Sequence, residues 1–219
     1  MQNHWLNKIN NRKLIVFLAG WSFDFIPFEF LDCKDFDVLF VYDYNEFNFC
    51  EDFTEYSEKY LLTWSMGTYV GYLLKDCFDN FNKRIAINGT PYPVHENFGI
   101  PLKPFLLTLK HAKIGLEGKF YQNIFNSENE FERYLTTPVS RTIENRESEL
   151  KSLYNHIKSN EIEYNNFYDF ALISNNDKII PSKNQVEFWK NNASYKTIES
   201  GHFPFYNFKS WEDIINLAE

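Results

Sequence analysis

Cysteine is scarce in this chain. Cys33, Cys50 and Cys77 are the only three in 219 residues. An odd number with neither C-x-x-C nor zinc-finger spacing excludes a disulfide framework, so reduced thiols in a cytoplasmic protein are expected. Glycine and proline are also few, eight of each. That is too little for long linkers, and no repeat or low-complexity tract interrupts the chain. Positive charge is in deficit, with 22 Lys and Arg against 30 Asp and Glu and a net charge of −8. General nucleic-acid binding is therefore excluded, because it needs a basic surface to release counterions. No apolar run approaches the ~18–20 residues of a membrane span. Lys8, Arg12 and Lys13 ahead of Leu14–Ala19 imitate a signal peptide. The run LIVFLA is too short for one, however, and Trp21 and Asp24 follow where small residues should allow cleavage. P-loop, G-x-G-x-x-G, H-E-x-x-H and calcium-loop motifs are all missing, so neither a cofactor nor a metal is expected.

What the chain does have is bulk. Hydrophobic residues make up 44% and aromatics 19%, including 23 Phe and 14 Tyr. A chain of this length suits one domain that buries about 70% of its unfolded surface. Short apolar runs read as strands at Leu14–Ala19, Asp37–Tyr42, Tyr60–Trp64, Arg84–Asn88, Phe170–Ser174 and Tyr195–Glu199. Helical periodicity lies between them, at Met66–Phe81, Ser182–Asn191 and Ser210–Ala218. Such alternation predicts a mostly parallel, doubly wound α/β sheet of about six strands. Between the fourth and fifth strands about 80 residues intervene. Helical stretches around Phe105–Lys113, Leu116–Phe125, Glu128–Leu135 and Ile143–Ile157 fill that interval. The expectation is a core of residues 1–90 and 161–219 with a helical cap, 91–160, inserted after the fourth recognisable strand.

The chemistry is concentrated around Tyr60–Gly71, YLLTWSMGTYVG. The hydrophobic period changes from strand-like to helix-like within two residues of Ser65. A turn that abrupt raises one side chain above the carboxyl end of a sheet and aims free helix N–H groups at it. This is the nucleophile elbow of the α/β-hydrolase fold, with Ser65 at the apex. Gly67 lets strand and helix cross closely, although Thr63 stands where G-x-S-x-G has its first glycine.

A serine nucleophile needs a base, and the base needs an orienting acid. Of five histidines, His4 is expected to precede all structure, and His95, His111 and His156 fall in or near the cap. His202 alone follows a core strand directly. Asp177 occupies the matching loop after the preceding strand, with Asp43 in reserve. The order Ser65, Asp177, His202 is that of the hydrolase fold. The oxyanion hole is expected from two backbone N–H groups, Met66 after the nucleophile and Trp21 in the loop after the first strand.

Taken together, Gly20-Trp21, Trp64-Ser65-Met66-Gly67, Asp177 with Ile180-Pro181, and Gly201-His202-Phe203-Pro204-Phe205 resemble known sequences. They are similar to the pimeloyl-[acyl-carrier-protein] methyl ester esterases of biotin synthesis, and the short chain suits the BioG-type branch. Two positions depart from the broader pattern: Ala19 stands where a histidine is frequent, and Thr63 replaces a glycine. The resemblance implies a serine esterase with Ser65 as nucleophile, His202 as base, Asp177 as its partner, and Trp21 and Met66 as oxyanion donors. Its implied substrate is a pimeloyl methyl ester carried as a thioester on acyl carrier protein, and a monomer is expected. A general carboxylesterase or acyl thioesterase with the same triad is the alternative, as is a hydrolase-fold binding protein without turnover.

An acidic carrier would be repelled by a chain of uniformly negative charge. Residues Pro101–Lys158 depart from that charge, holding nine Lys and Arg against seven Glu. Lys103, Lys110, Lys113 and Lys119, then Arg133 and Arg141, are the expected carrier-binding residues.

Overall fold

The computed structural model describes residues 1–49, 51–114 and 119–218. Six of its strands are parallel: β2 (Lys13–Leu18), β3 (Asp37–Tyr42), β4 (Glu58–Trp64), β5 (Lys83–Ile87), β6 (Phe170–Ser174) and β7 (Ser194–Ile198). A seventh, β1 (Gln2–Asn7), runs antiparallel along β3, and the sheet order is β1-β3-β2-β4-β5-β6-β7. Apart from β1 and the edge strand β7, these are near-continuous apolar runs, because helices cover both faces of a parallel sheet. Residues 14 to 18 and 38 to 41 are fully buried.

Two expectations need correction. Beside the six expected strands the sheet carries a seventh, β1, and His4, expected to precede all structure, lies within it, where its ring stacks on Phe25 at 3.5 Å. This edge strand exposes Gln2 and Asn3 and buries no residue fully, so it lacks the apolar signature of the others. The expected helix Met66–Phe81 is also shorter. It ends as α1 (Met66–Leu73) and continues as a 3₁₀ turn, Lys75–Phe78, where the chain bends back to enter β5.

Among the described residues four α-helices lie between β5 and β6: α2 (Leu102–His111), α3 (Lys119–Ile124), α4 (Glu128–Thr136) and α5 (Ile143–Ser159). Part of the stretch Leu116–Phe125 falls outside the described residues. Ser127 and Thr142 cap α4 and α5 by accepting the N–H groups of Glu130 and Asn145. Two more helices follow, α6 (Ser182–Trp189) and α7 (Trp211–Asn216), the latter closed by a Ser210/Asp213 capping box. Among the described residues no helix is long and apolar enough to cross a membrane.

One face of the sheet packs through rings. Phe28 meets Phe40 at 5.0 Å and Phe205 at 4.8 Å, and Phe17 meets Trp211 of α7 at 4.9 Å. Each fully buried ring contributes about 2–3 kcal/mol, which is why the aromatic excess becomes core. β2 pairs with β3 on one side and β4 on the other. The carboxyl ends of β2 and β4 are therefore the switch point of the sheet, where open α/β folds bind ligands. This architecture is the α/β-hydrolase fold.

Candidate active site

Ser65 joins β4 to α1 with φ 57° and ψ −121°, a conformation L-residues seldom hold. Such backbone costs about 1–3 kcal/mol and persists only where its surroundings enforce it. Here Ser65 N–H donates to Ile87 O at 3.0 Å, and Ser65 O accepts from Thr68 N–H at 3.0 Å. The crossing of α1 over β2 depends on Gly67, since a Cβ there would lie 2.2 Å from Leu18 O. Thr63 fits in place of the elbow's usual glycine because the helix supplies the missing space. A Cβ on Gly71 would stand 2.8 Å from the Thr63 methyl. The small residue has moved from strand to helix.

The hydroxyl of Ser65 lies 2.8 Å from His202 Nε2, and His202 Nδ1 lies 2.8 Å from Asp177 Oδ2. The structure thus brings these three into one hydrogen-bonded chain, and all three are buried. The Asp177 carboxylate accepts the Nδ1 proton, which leaves Nε2 free to accept from the serine. A chain of this kind can pull the proton from a hydroxyl as it attacks a carbonyl. Asp177 is itself held: Oδ1 accepts from the N–H groups of Ile179 and Ile180, and Oδ2 from Gln185 Nε2 at 2.9 Å.

The loop carrying His202 is fixed through its carbonyl, which accepts from Trp64 Nε1 at 2.8 Å and Asn88 Nδ2 at 2.9 Å. Asn88 also exchanges two bonds with Ser174, linking the ends of β5 and β6 to the histidine. Sequence reasoning missed Asn88 and Gln185. The position of Asn88 just after a strand was the only signal for it, and Gln185 carried none.

Met66 opens α1, so its N–H has no carbonyl within the helix to bond. Trp21, 8% exposed, lies in the loop after β2, and its indole N–H donates to Arg146 O at 2.7 Å. Both residues border the cavity that holds Ser65 and His202.

The cavity measures about 230 Å³. Its walls are mainly apolar, with Phe105 and Leu107 from α2, Phe120 and Ile124 from α3, and Leu150 from α5. The exposed Lys178 stands among its lining residues, beside Asp177. Among the described residues no group of three or more His, Cys, Asp and Glu is placed to hold a metal ion.

The remaining candidates are scattered. Lys103 and Lys110 are exposed on α2, Lys113 follows it, and Lys119 begins α3. Arg133 is exposed but lies over two rings, 4.4 Å from Phe30 and 4.0 Å from Tyr206. Arg141 must be withdrawn as a carrier-binding residue. Its side chain is 5% exposed and pairs with Glu149 at 2.8 Å and Asp43 at 3.3 Å. Charge counting cannot tell such a buried counter-ion from a rim cation. Asp43 is committed to the same cluster and to Asn145, apart from His202. His95 accepts two backbone N–H groups, and His156 meets the hydroxyl of Tyr69 at 2.7 Å.

The model of the family described as pimeloyl-ACP methyl esterase BioG matches residues 1–214. The crystal structure of BioG from Haemophilus influenzae superposes with a TM-score of 0.86 at 28% identity, covering 97% of this chain and 99% of that one. An uncharacterized protein of Haemophilus influenzae is 30% identical over 90% of this chain and 92% of its own length. A malonyl-[acyl-carrier protein] O-methyltransferase of Bacteroides fragilis is 29% identical over 82% of this chain, which spans 37% of that protein.

Proposed function

The chain belongs to the pimeloyl-ACP methyl esterase BioG family, a family of carboxylic ester hydrolases, and from that premise we propose that it hydrolyses the methyl ester of pimeloyl-[acyl-carrier protein]. The observation that carries this reading is the unbroken hydrogen-bonded chain from Asp177 through His202 to Ser65, set on an apolar cavity. Ser65 is the nucleophile, His202 the base and Asp177 its orienting acid. Trp21 and Met66 donate their N–H groups to the oxyanion.

Ser65 Oγ attacks the ester carbonyl carbon while His202 Nε2 takes its proton. The C–O bond to methoxide then breaks, and His202 returns the proton so that methanol leaves. Water, deprotonated by the same nitrogen, attacks the acyl-enzyme, and the carboxylate departs as Ser65 regains its proton. The thioester at the other end is spared by position. The apolar walls take the methylene chain and keep the sulfur away from Ser65, so only the ester reaches attack distance.

In this reading residues 91–160 form a cap over a core of 1–90 and 161–219. The lining contributed by α2, α3 and α5 supports that division. The partner is acyl carrier protein and the setting the cytoplasm.

The test is turnover of pimeloyl-carrier methyl ester beside the free methyl ester and the carrier thioester. Release of methanol from the first at the highest kcat/KM supports the proposal, and preferential cleavage of the thioester replaces it with a thioesterase.

A further inference from the structure

Gly20–Ser22 is a short loop with no regular structure of its own, yet it carries the Trp21 N–H. Ser22 sits at φ 73°, outside the range a serine adopts freely. Something must hold the loop in place, and the bonds that do so come from far along the chain. Glu149 of α5 is fully buried. Its Oε2 accepts from Ser22 N–H at 3.1 Å and its Oε1 from Tyr44 N–H at 2.9 Å. Tyr44 in turn donates its hydroxyl to Ala19 O at 2.8 Å, one residue before the loop. A second brace is parallel to the first: Arg146 Nη1 donates to Tyr121 Oη at 2.7 Å, and Tyr121 donates to Ser22 Oγ at 3.1 Å.

A buried carboxylate is an expensive way to fill space, and apolar side chains of similar volume serve packing as well or better. Burial indeed pushes the Glu149 carboxyl up from its ordinary value, opposed by the Arg141 guanidinium and by the two N–H groups. Arg141 donates to Glu149 Oε2 at 2.8 Å and to Phe23 O at 3.3 Å, so the counter-ion grips the same loop one residue on. What the carboxylate supplies and an apolar group could not is direction. It fixes the peptide next to the oxyanion donor.

We propose that Glu149 is a positioning residue for ester hydrolysis: held by Arg141, it orients the Gly20–Ser22 loop so that the Trp21 N–H points at the oxyanion formed above Ser65. This rests on the reading of the protein as a serine esterase with Trp21 as a donor. It also gives α5 a part in turnover beyond roofing the cavity.

The decisive variant is Glu149→Gln, which keeps the volume but leaves one acceptor oxygen for two N–H groups and removes the charge facing Arg141. On a small methyl ester kcat should fall between about 10- and 100-fold, short of the 10²–10³-fold that loss of a whole donor brings. KM should stay within about twofold, because the loop acts on the transition state and not on ground-state binding. Affinity for an alkyl trifluoromethyl ketone, whose adduct with Ser65 carries the oxyanion, should fall by the same factor as kcat. Tyr121→Phe removes one hydroxyl of the second brace and should show a smaller loss of the same kind. It keeps the question open to test if Glu149→Gln does not fold. A lowered melting temperature with kcat and ketone affinity unchanged in the folded variants would overturn the proposal. A wild-type protein that neither turns over ester nor binds the ketone would instead overturn the esterase reading itself.

Discussion

Thr63 and Gly71 compete for one space: a Cβ on Gly71 would come within 2.8 Å of the Thr63 methyl and 2.6 Å of Tyr168 Oη. Gly71→Ala should therefore destabilise the fold in spite of the helix propensity it gains, about 1 kcal/mol. Overpacking of this kind costs ~1–3 kcal/mol, or a few degrees of melting temperature in a chain of this size. Adding Thr63→Gly should recover part of the loss. Recovery should stay incomplete, because the Tyr168 hydroxyl remains and donates to Thr68 O at 2.7 Å. Thermal unfolding of the two single variants and the double variant gives the coupling. Additive losses would show that strand and helix do not share the space.

Ser65 Oγ and His202 Nε2 share one hydrogen bond of 2.8 Å, and in the proposed mechanism they would act on one proton, so their removal should not add. Ser65→Ala and His202→Ala should each lower kcat by several orders of magnitude, and the double variant should be scarcely worse than either. Steady-state kinetics on one ester suffices, and losses that multiply would mean the wrong pair has been joined.

Asp177→Asn should preserve the fold while lowering turnover by up to about 10⁴-fold, since an amide no longer holds the productive tautomer of His202. Asp43→Asn should act on stability, because its carboxylate serves Asn145 and Arg141. Melting curves and kcat for the two variants separate these outcomes. A large kcat loss at Asp43 alone would reverse the assignment.

These contrasts explain what the sequence could and could not reveal. Strands β2, β3 and β6 were readable because both faces are covered, and burial writes an unbroken apolar run. β1, QNHWLN, was not, because it lacks the β-branched residues that mark even the exposed edge strand β7, SYKTI. The expectation that Ser65, Asp177 and His202 lie together came from their place in the turns and loops leaving strands, and the structure joins them by hydrogen bonds. Gln185 and Glu149 act on loops brought near by folding. Glu149 meets Ser22 across 127 residues of chain, and no local pattern records such a meeting. Arg141 failed for the same reason, since its partner was invisible.

His156 should make stability pH-dependent. Burial lowers its pKa from the ordinary imidazole value, and its Nδ1 meets the Tyr69 hydroxyl at 2.7 Å, joining α5 to α1. The unfolded chain then binds a proton more readily than the folded one. The stabilisation is fully present above the ordinary imidazole pKa and is lost as pH falls through the lower folded value. The melting temperature should thus fall on the acid side of neutrality, and His156→Asn should flatten that part of the curve. An unchanged slope in the variant would place the dependence elsewhere.

An acidic carrier, as proposed, would have to approach a chain of net charge −8. Among the described residues Arg141 is buried and Arg133 lies over rings, whereas the lysines on α2 and just beyond it are exposed. Lys103, Lys110 and Lys113 are exposed there, next to Leu102, Leu106 and Ile114 at 44%, 39% and 71% exposure. Leu107 of the same helix lines the cavity, so a carrier docked on α2 would deliver its arm close to Ser65. Lys110→Glu with Lys113→Glu should raise KM for the carrier-bound ester and flatten the salt dependence of its kcat/KM, since rim charges act mainly on encounter. Turnover of a small free ester should not change, as neither lysine borders the cavity. Comparing the two substrates across a salt series is the measurement. Equal losses on both would mean damage to the pocket, and an unchanged KM for the carrier substrate would move docking to another face.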